Sequence, residues 1–332
     1  MKTTLLFPAL AIALGSSACD KDKKPADPAP PPSTSEAQVA LSASSEEAPP
    51  PVPSPASPGI ITTWRKDMGM KAPASVLHDE AGDVYLVSNV DGKPLEADGK
   101  GFISRWDSNA VGGDTKWIDS GKNGVTLNAP KGMAITGETL WVADIDTVRM
   151  FDRKSGRPTG EVKIAGASFL NAVAVLADGR VIVADRGMKA GSGDDFEPAE
   201  TDAVHVISRD KKVATFAKHK ELGNPNGLLV VNGTAWVASW SGQIFSLGAS
   251  GLKNDVTRLP KGKLDGLAKV DDDFLVSSWE ASGIYRGQPG GQEWKLVLEG
   301  VKGPAGFTVD RKRKRLIVPV MEEDELRAYK LE

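Results

Sequence analysis

Asn226-Gly227-Leu228-Leu229-Val230-Val231-Asn232-Gly233-Thr234-Ala235-Trp236-Val237-Ala238-Ser239 decides how this chain folds. Two alternating apolar runs flank Asn232-Gly233, the dipeptide that two-residue hairpin turns favour. A third strand follows at Gln243–Leu247 and a fourth at Asp255–Leu259, after which Asp265-Gly266 starts the same grammar again. Equivalent openings stand at Ala74-Ser75, Lys131-Gly132, Asn171-Ala172 and Ala305-Gly306, making six copies. Repeats of this size, each reading as four strands, predict an all-β, six-bladed β-propeller with four antiparallel strands per blade.

The last copy supplies Phe307–Val309, Leu316–Val320 and Leu326–Leu331, which leaves it one strand short. Ile60-Ile61-Thr62-Thr63-Trp64 precedes the first full repeat and has the outer-strand pattern of Glu293–Val297. The N-terminal strand, at about residues 60–65, is therefore expected to complete the last blade. That closes the ring and removes an open sheet edge.

The segments before the repeats carry no fold signal. Lys2, the apolar run Leu5–Leu14 and Gly15-Ser16-Ser17-Ala18 read as a secretory signal over residues 1–18, too short to span a bilayer. Cys19, the chain's one cysteine, has no internal disulfide partner. Its position resembles a bacterial lipobox, which implies lipidation at Cys19, although Ser16 stands where Leu is usual. The other reading is an ordinary secretory signal. Residues 19–58, rich in Pro, Ala and Ser, read as a tether reaching on the order of 100 Å. The domain then spans 59–332. These features predict an envelope protein, periplasmic or surface-exposed, touching membrane through an N-terminal lipid only. The formal charge of −3 gives no general electrostatic case for nucleic acid. The run Arg311-Lys312-Arg313-Lys314-Arg315 is expected to be a solvated hairpin turn. A monomer is expected.

In a propeller the first residue of each inner strand faces a shared channel. Ala74, Lys131, Asn171, Asn226, Asp265 and Ala305 should therefore converge at one mouth. The second strands end at the same face, at Asn89, Asp144, Asp185, Ser239, Ser278 and Val320, followed in three blades by Arg186, Trp240 and Trp279. The long connections Val90–Gly101 and Gly187–Ala203 land there too. Binding sites favour a face with polar clusters, aromatics and long loops. Asp144, Asp185, Trp240 and Trp279 are expected to meet a small-molecule ligand. Trp141 and Trp236 read as packing between blades. The histidines His78, His205 and His219 give no triad, and Asp194-Asp195-Phe196-Glu197 reads as a solvated mobile loop.

Phe169-Leu170-Asn171, Asn226-Gly227-Leu228 and Asp265-Gly266-Leu267, each opening a blade, resemble the gluconolactonase/regucalcin (senescence marker protein) family over the whole domain. That resemblance implies a metal-dependent lactone hydrolase, with a divalent cation, usually calcium, held at the channel mouth. Its ligands carry over to Asn171, Asn226 and Asp265. The family's Glu ligand does not: its place is Ala74, and the Asp that commonly follows the first Asn is Ala172. Lys131 in the same ring opposes a cation, since an ammonium about 6 Å from a divalent ion costs roughly 5 kcal/mol at an effective dielectric near 20. Two functions follow. In one, calcium-assisted hydrolysis of a lactone or sugar derivative uses Asp265 as base and Lys131 to stabilise the oxyanion. In the other, the propeller is a non-enzymatic binding module whose metal site has been altered by Ala74 and Lys131.

Overall fold

The structure is a computed structural model that describes residues 60–64 and 68–331, apart from 110 and 194. The signal, the tether and Cys19 lie outside the described residues. Among the described residues, twenty-six strands form six four-stranded antiparallel sheets and one small hairpin. Blade I comprises β2 (Pro73–Asp79), β3 (Val84–Asn89), β4 (Phe102–Asp107) and β5 (Gly113–Asp119). Blade II is β6 (Pro130–Thr136), β7 (Thr139–Asp144), β8 (Thr147–Asp152) and β9 (Pro158–Lys163). Blade III is β10 (Leu170–Val175), β11 (Val181–Asp185), β14 (Ala203–Ile207) and β15 (Val213–Lys218). Blade IV is β16 (Pro225–Val231), β17 (Thr234–Ser239), β18 (Gln243–Leu247) and β19 (Lys253–Arg258). Blade V is β20 (Leu264–Val270), β21 (Asp273–Ser278), β22 (Gly283–Gly287) and β23 (Trp294–Glu299). Blade VI takes β24 (Thr308–Asp310), β25 (Arg315–Val320), β26 (Glu325–Lys330) and, as its fourth strand, β1 (Ile60–Trp64).

The predicted closure is present. β1 runs antiparallel to β26, with Ile60 opposite Tyr329 and Trp64 opposite Leu326. Across the seam Val76 N–H donates to Gly306 O at 2.8 Å and Gly306 N–H to Ala74 O at 3.1 Å. The turn chemistry also follows the sequence. Asn232 and Gly233 both adopt positive φ, 50° and 80°, as the twist-matched hairpin turn requires.

Six buried clusters hold the wheel together, and each lies between two neighbouring blades. Leu86, Ile103 and Ile118 of blade I meet Met133, Leu140 and Phe151 of blade II. Tyr85 and Val87 of blade I meet Ile317 and Leu326 of blade VI. Stability thus comes from burying both faces of every sheet against the next. Trp141 and Trp236 belong to this packing, the latter edge-on to Phe274 at 5.1 Å.

The basic run is not a freely solvated turn. Between β24 and β25, Lys312 and Arg313 bond Asp83 at 2.8 and 2.6 Å, and Arg311 donates to Lys269 O at 2.9 Å. Arg313 and Arg315 reach buried Asp310, at 3.0 and 3.4 Å, and Tyr85 Oη donates to the same carboxylate. These contacts drive the Asp83 carboxyl well below its ordinary range. The run stitches blade VI to blades I and V, so its charges are spent on the ring seam.

Candidate functional site

Each blade-opening residue before the last blade sits at an irregularity of its inner strand. The register with the second strand slips around Ala74, Lys131, Asn171, Asn226 and Asp265. A bulge re-aims the side chain it carries, here toward the axis. The glycines that follow have a steric cause. A Cβ on Gly227 would lie 1.9 Å from Asp265 O, and one on Gly132 would lie 2.5 Å from Asn171 O. Neighbouring inner strands approach too closely for any side chain there.

At this mouth lies a cavity of about 480 Å³ lined by Ala74, Lys131, Asn171, Asp265, Ala305 and larger side chains from the loops. Five of the six aligned openings therefore reach one space. The sixth, Asn226, is fully buried just beneath: its Oδ1 accepts from Asn171 Nδ2, and its Nδ2 donates to Leu264 O at 2.9 Å. Asp265 accepts the Trp279 indole N–H at 3.1 Å. Burial raises its carboxyl to about 6, against the opposing pull of Arg186, Trp279 and Asn226. Burial likewise lowers the Lys131 ammonium to about 7; Asp144 resists that shift and Arg186 adds to it. Lys131 Nζ donates to Ala129 O at 2.8 Å and lies over the Phe169 ring, 4.9 Å from its centroid.

The walls are aromatic. Trp240 and Trp279 meet at 5.8 Å and Phe169 and Phe196 at 5.5 Å. Between these pairs lies the Arg186 guanidinium, 3.7 Å from the Trp240 centroid, 5.1 Å from Phe169 and 5.6 Å from Phe196. Arg186 was visible in the column that holds Trp240 and Trp279, directly after a second-strand end, but side-chain type alone did not mark it as a site residue. Phe196 had no such signal. It lies in a hairpin, β12 (Met188–Ala190) and β13 (Phe196–Pro198), inserted in blade III. The connection expected to be a mobile acidic loop is thus a small ribbon that lays an aromatic ring on the pocket, with Asp194 outside the described residues.

Trp240 and Trp279 line the cavity, as the alignment predicts, whereas Asp144 and Asp185 do not. Both carboxylates brace the loop that enters their own blade. Asp144 accepts the backbone N–H groups of Asn128 and Ala129, the latter at 2.8 Å, and pairs with Arg149 at 3.1 Å. Asp185 accepts from the N–H of Ser168, of Phe169 at 3.0 Å and of Gly187 at 3.1 Å. Asn89 does the same for Lys71 N–H at 3.0 Å. A buried carboxylate must find donors, and the loop amides are nearest. His78, His205 and His219 lie outside the cavity lining.

The donor set does not fit calcium, which takes six to eight oxygens with charge to match. Asp265 is the one carboxylate among the aligned ring positions, and Ala74 contributes no oxygen. Asn171 and Asn226 bond each other, while Lys131 and Arg186 bring two buried cations to the same space. Among the described residues no three His, Cys, Asp or Glu side chains gather as a metal site.

No family model matches the chain, and no curated protein matches it in sequence. Solved structures do. A candidate gluconolactonase is 16% identical, with a TM-score of 0.57 over 81% of this chain and 93% of that one. A gluconolactonase from Xanthomonas campestris is 18% identical, with a TM-score of 0.53 over 78% and 95%. A chain of the nidogen–laminin complex is 13% identical, with a TM-score of 0.53 over 69% and 82%. The structural neighbours thus include gluconolactonase proteins, and at these identities the likeness establishes the fold.

Proposed function

We propose that the chain is a gluconolactonase-type propeller that hydrolyses a small cyclic ester at its channel mouth, using its own side chains in place of a metal. The observation that carries this reading is the meeting, in one aromatic-walled cavity, of Asp265 raised to about 6 and Lys131 lowered to about 7. Groups buried in a cleft and tuned toward neutrality are candidates for acid–base work. Ionised Asp265, through its oxygen not held by Trp279, takes a proton from water as that water attacks the lactone carbonyl. Protonated Lys131 stabilises the oxyanion. Collapse breaks the ring C–O bond, and the leaving alkoxide recovers the proton from Asp265, giving the open hydroxy acid.

The second reading, a binding module, is favoured by the bond that already holds Asp265 to Trp279. A panel of aldonolactones assayed on chelator-treated protein separates the two. Turnover that survives chelation and is lost in Asp265→Asn supports hydrolysis. Turnover that requires added calcium, or that Asp265→Asn retains, removes the scheme. Ligand binding without turnover of any lactone leaves the binding module. Lipid anchoring at Cys19 and an envelope location belong to the same proposal, tested by globomycin-sensitive processing and mass spectrometry of the mature N-terminus.

A further inference from the structure

We infer that the ligand of this pocket carries a carboxylate, and that Arg186 is the residue that receives it. The inference rests on the proposed use of this cavity and names its substrate class, a lactone bearing a free acid group.

Arg186 directly follows β11, and its backbone N–H is fixed on Phe169 O at 2.9 Å. Its side chain lines the cavity while the residue is only 6% exposed. The guanidinium makes no hydrogen bond or ion pair with any described residue, and its buried Nε has no partner. Asp265 acts on it only through space. A guanidinium stays charged at neutral pH, and a buried ion without a partner costs several kcal/mol. The stacked rings relieve part of that cost by cation–π attraction. Trp240, Phe169 and Phe196 pack around it, yet rings accept none of its N–H bonds. Such a fork matches a planar carboxylate, which it binds through two parallel hydrogen bonds. The charge of the lining agrees: Lys131, Arg186 and Lys263 face Asp265 and Glu322, a surplus of one cation when all are ionised. A cavity of about 480 Å³ holds a compact sugar-sized acid.

The test uses a matched pair: D-glucaro-1,4-lactone carries a free carboxylate where D-glucono-1,4-lactone has a hydroxymethyl group. Both are titrated calorimetrically into the Asp265→Asn protein, which the proposed scheme makes unable to turn them over, with Arg186→Met and Arg186→Lys added to the same background and wild-type turnover of both lactones assayed alongside. The acid is expected to bind on the order of 10- to 100-fold more tightly than its neutral partner, the worth of a charge-assisted hydrogen bond. Arg186→Met should abolish the preference without lowering the thermal midpoint, and Arg186→Lys, which keeps the charge but not the fork, should restore only part of it. Equal affinities, a preference that survives Arg186→Met, or no binding of either lactone at millimolar concentration overturns the inference. Because binding is read without turnover, tight binding of an unhydrolysed acid supports it while removing the hydrolytic scheme. Turnover of both lactones without preference does the reverse.

Discussion

Replacing Lys131 with Met should make this protein more stable at neutral pH. Lys131 is 3% exposed, makes one hydrogen bond, to Ala129 O, and has no carboxylate within ion-pair distance among the described residues. Burial lowers its ammonium from 10.5 to about 7. Between those values the unfolded chain binds a proton that the folded chain does not, so stability rises with pH across this window. At pH 7 the cost of keeping Lys131 in the fold is about 4 kcal/mol, and at pH 9 about 2 kcal/mol. Losing the bond to Ala129 O and the imperfect fit of the thioether return about 1–2 kcal/mol. Lys131→Met should therefore gain roughly 2–3 kcal/mol at pH 7, or about 4–6 °C in midpoint, and nothing near pH 9. Urea denaturation of both proteins at several pH values between 6 and 9.5 reads this directly, and groups that titrate equally in the two proteins cancel. A variant less stable at pH 7, or a stability gap that does not shrink as pH rises, refutes the account of Lys131 as a buried ion held for function.

Asp265→Asn should behave oppositely in pH: its folded carboxyl is raised from 3.8 to about 6, so the native state loses stability as pH rises through that range. The gap between variant and wild type should open from near zero below pH 4 to about 3 kcal/mol above pH 6, less the weakened bond to Trp279, while lactone turnover disappears. For the wild type, kcat/KM should peak narrowly between about 6 and 7, where Asp265 is ionised and Lys131 still protonated; a flat profile from 5 to 9 removes the pair. Millimolar calcium should leave the thermal midpoint unchanged, since an ion that binds the native state must raise it; a calcium-dependent rise contradicts the charge argument. Deleting β1 (Ile60–Trp64) should lower the midpoint of the whole domain in one cooperative step, because β26 then becomes an open edge at the ring seam; loss confined to local fraying counts against ring closure.

The wheel was legible because its determinants are local and repeated. Asn232-Gly233 fixes a turn by backbone conformation, and the alternation on either side fixes which face is buried. Column alignment then placed five of the six opening residues on one cavity, four of them (Ala74, Lys131, Asn171 and Asp265) at a register shift of the inner strand, while Asn226, at the same kind of shift, lies just beneath. What the columns could not carry is direction of bonding. Asp144 and Asp185 occupy column positions as good as that of Trp240, yet a short carboxylate at a strand end is captured by the nearest loop amides. The indole beyond Ser239 is too long for that and reaches the pocket. Arg186 shares that length and that column, so reach was readable, but its want of a partner was not: that depends on Asp202, Asp185 and Asp265 each being engaged by other donors.

Bonding, rather than residue type, decides what the channel mouth can hold. A ring that keeps two amides and one acid looks, as a list of residue types, like most of a calcium site. The Asn226 oxygen already accepts from Asn171 and one Asp265 oxygen from an indole, which leaves few donors against the six to eight that calcium takes, while Lys131 and Arg186 stay buried beside them. A divalent cation added to that space would meet repulsion from both, at roughly 5 kcal/mol for each charge about 6 Å away, whereas an anion would be drawn by both. On the proposed use of the pocket, electrostatics selects the sign of the ligand before any contact selects its shape.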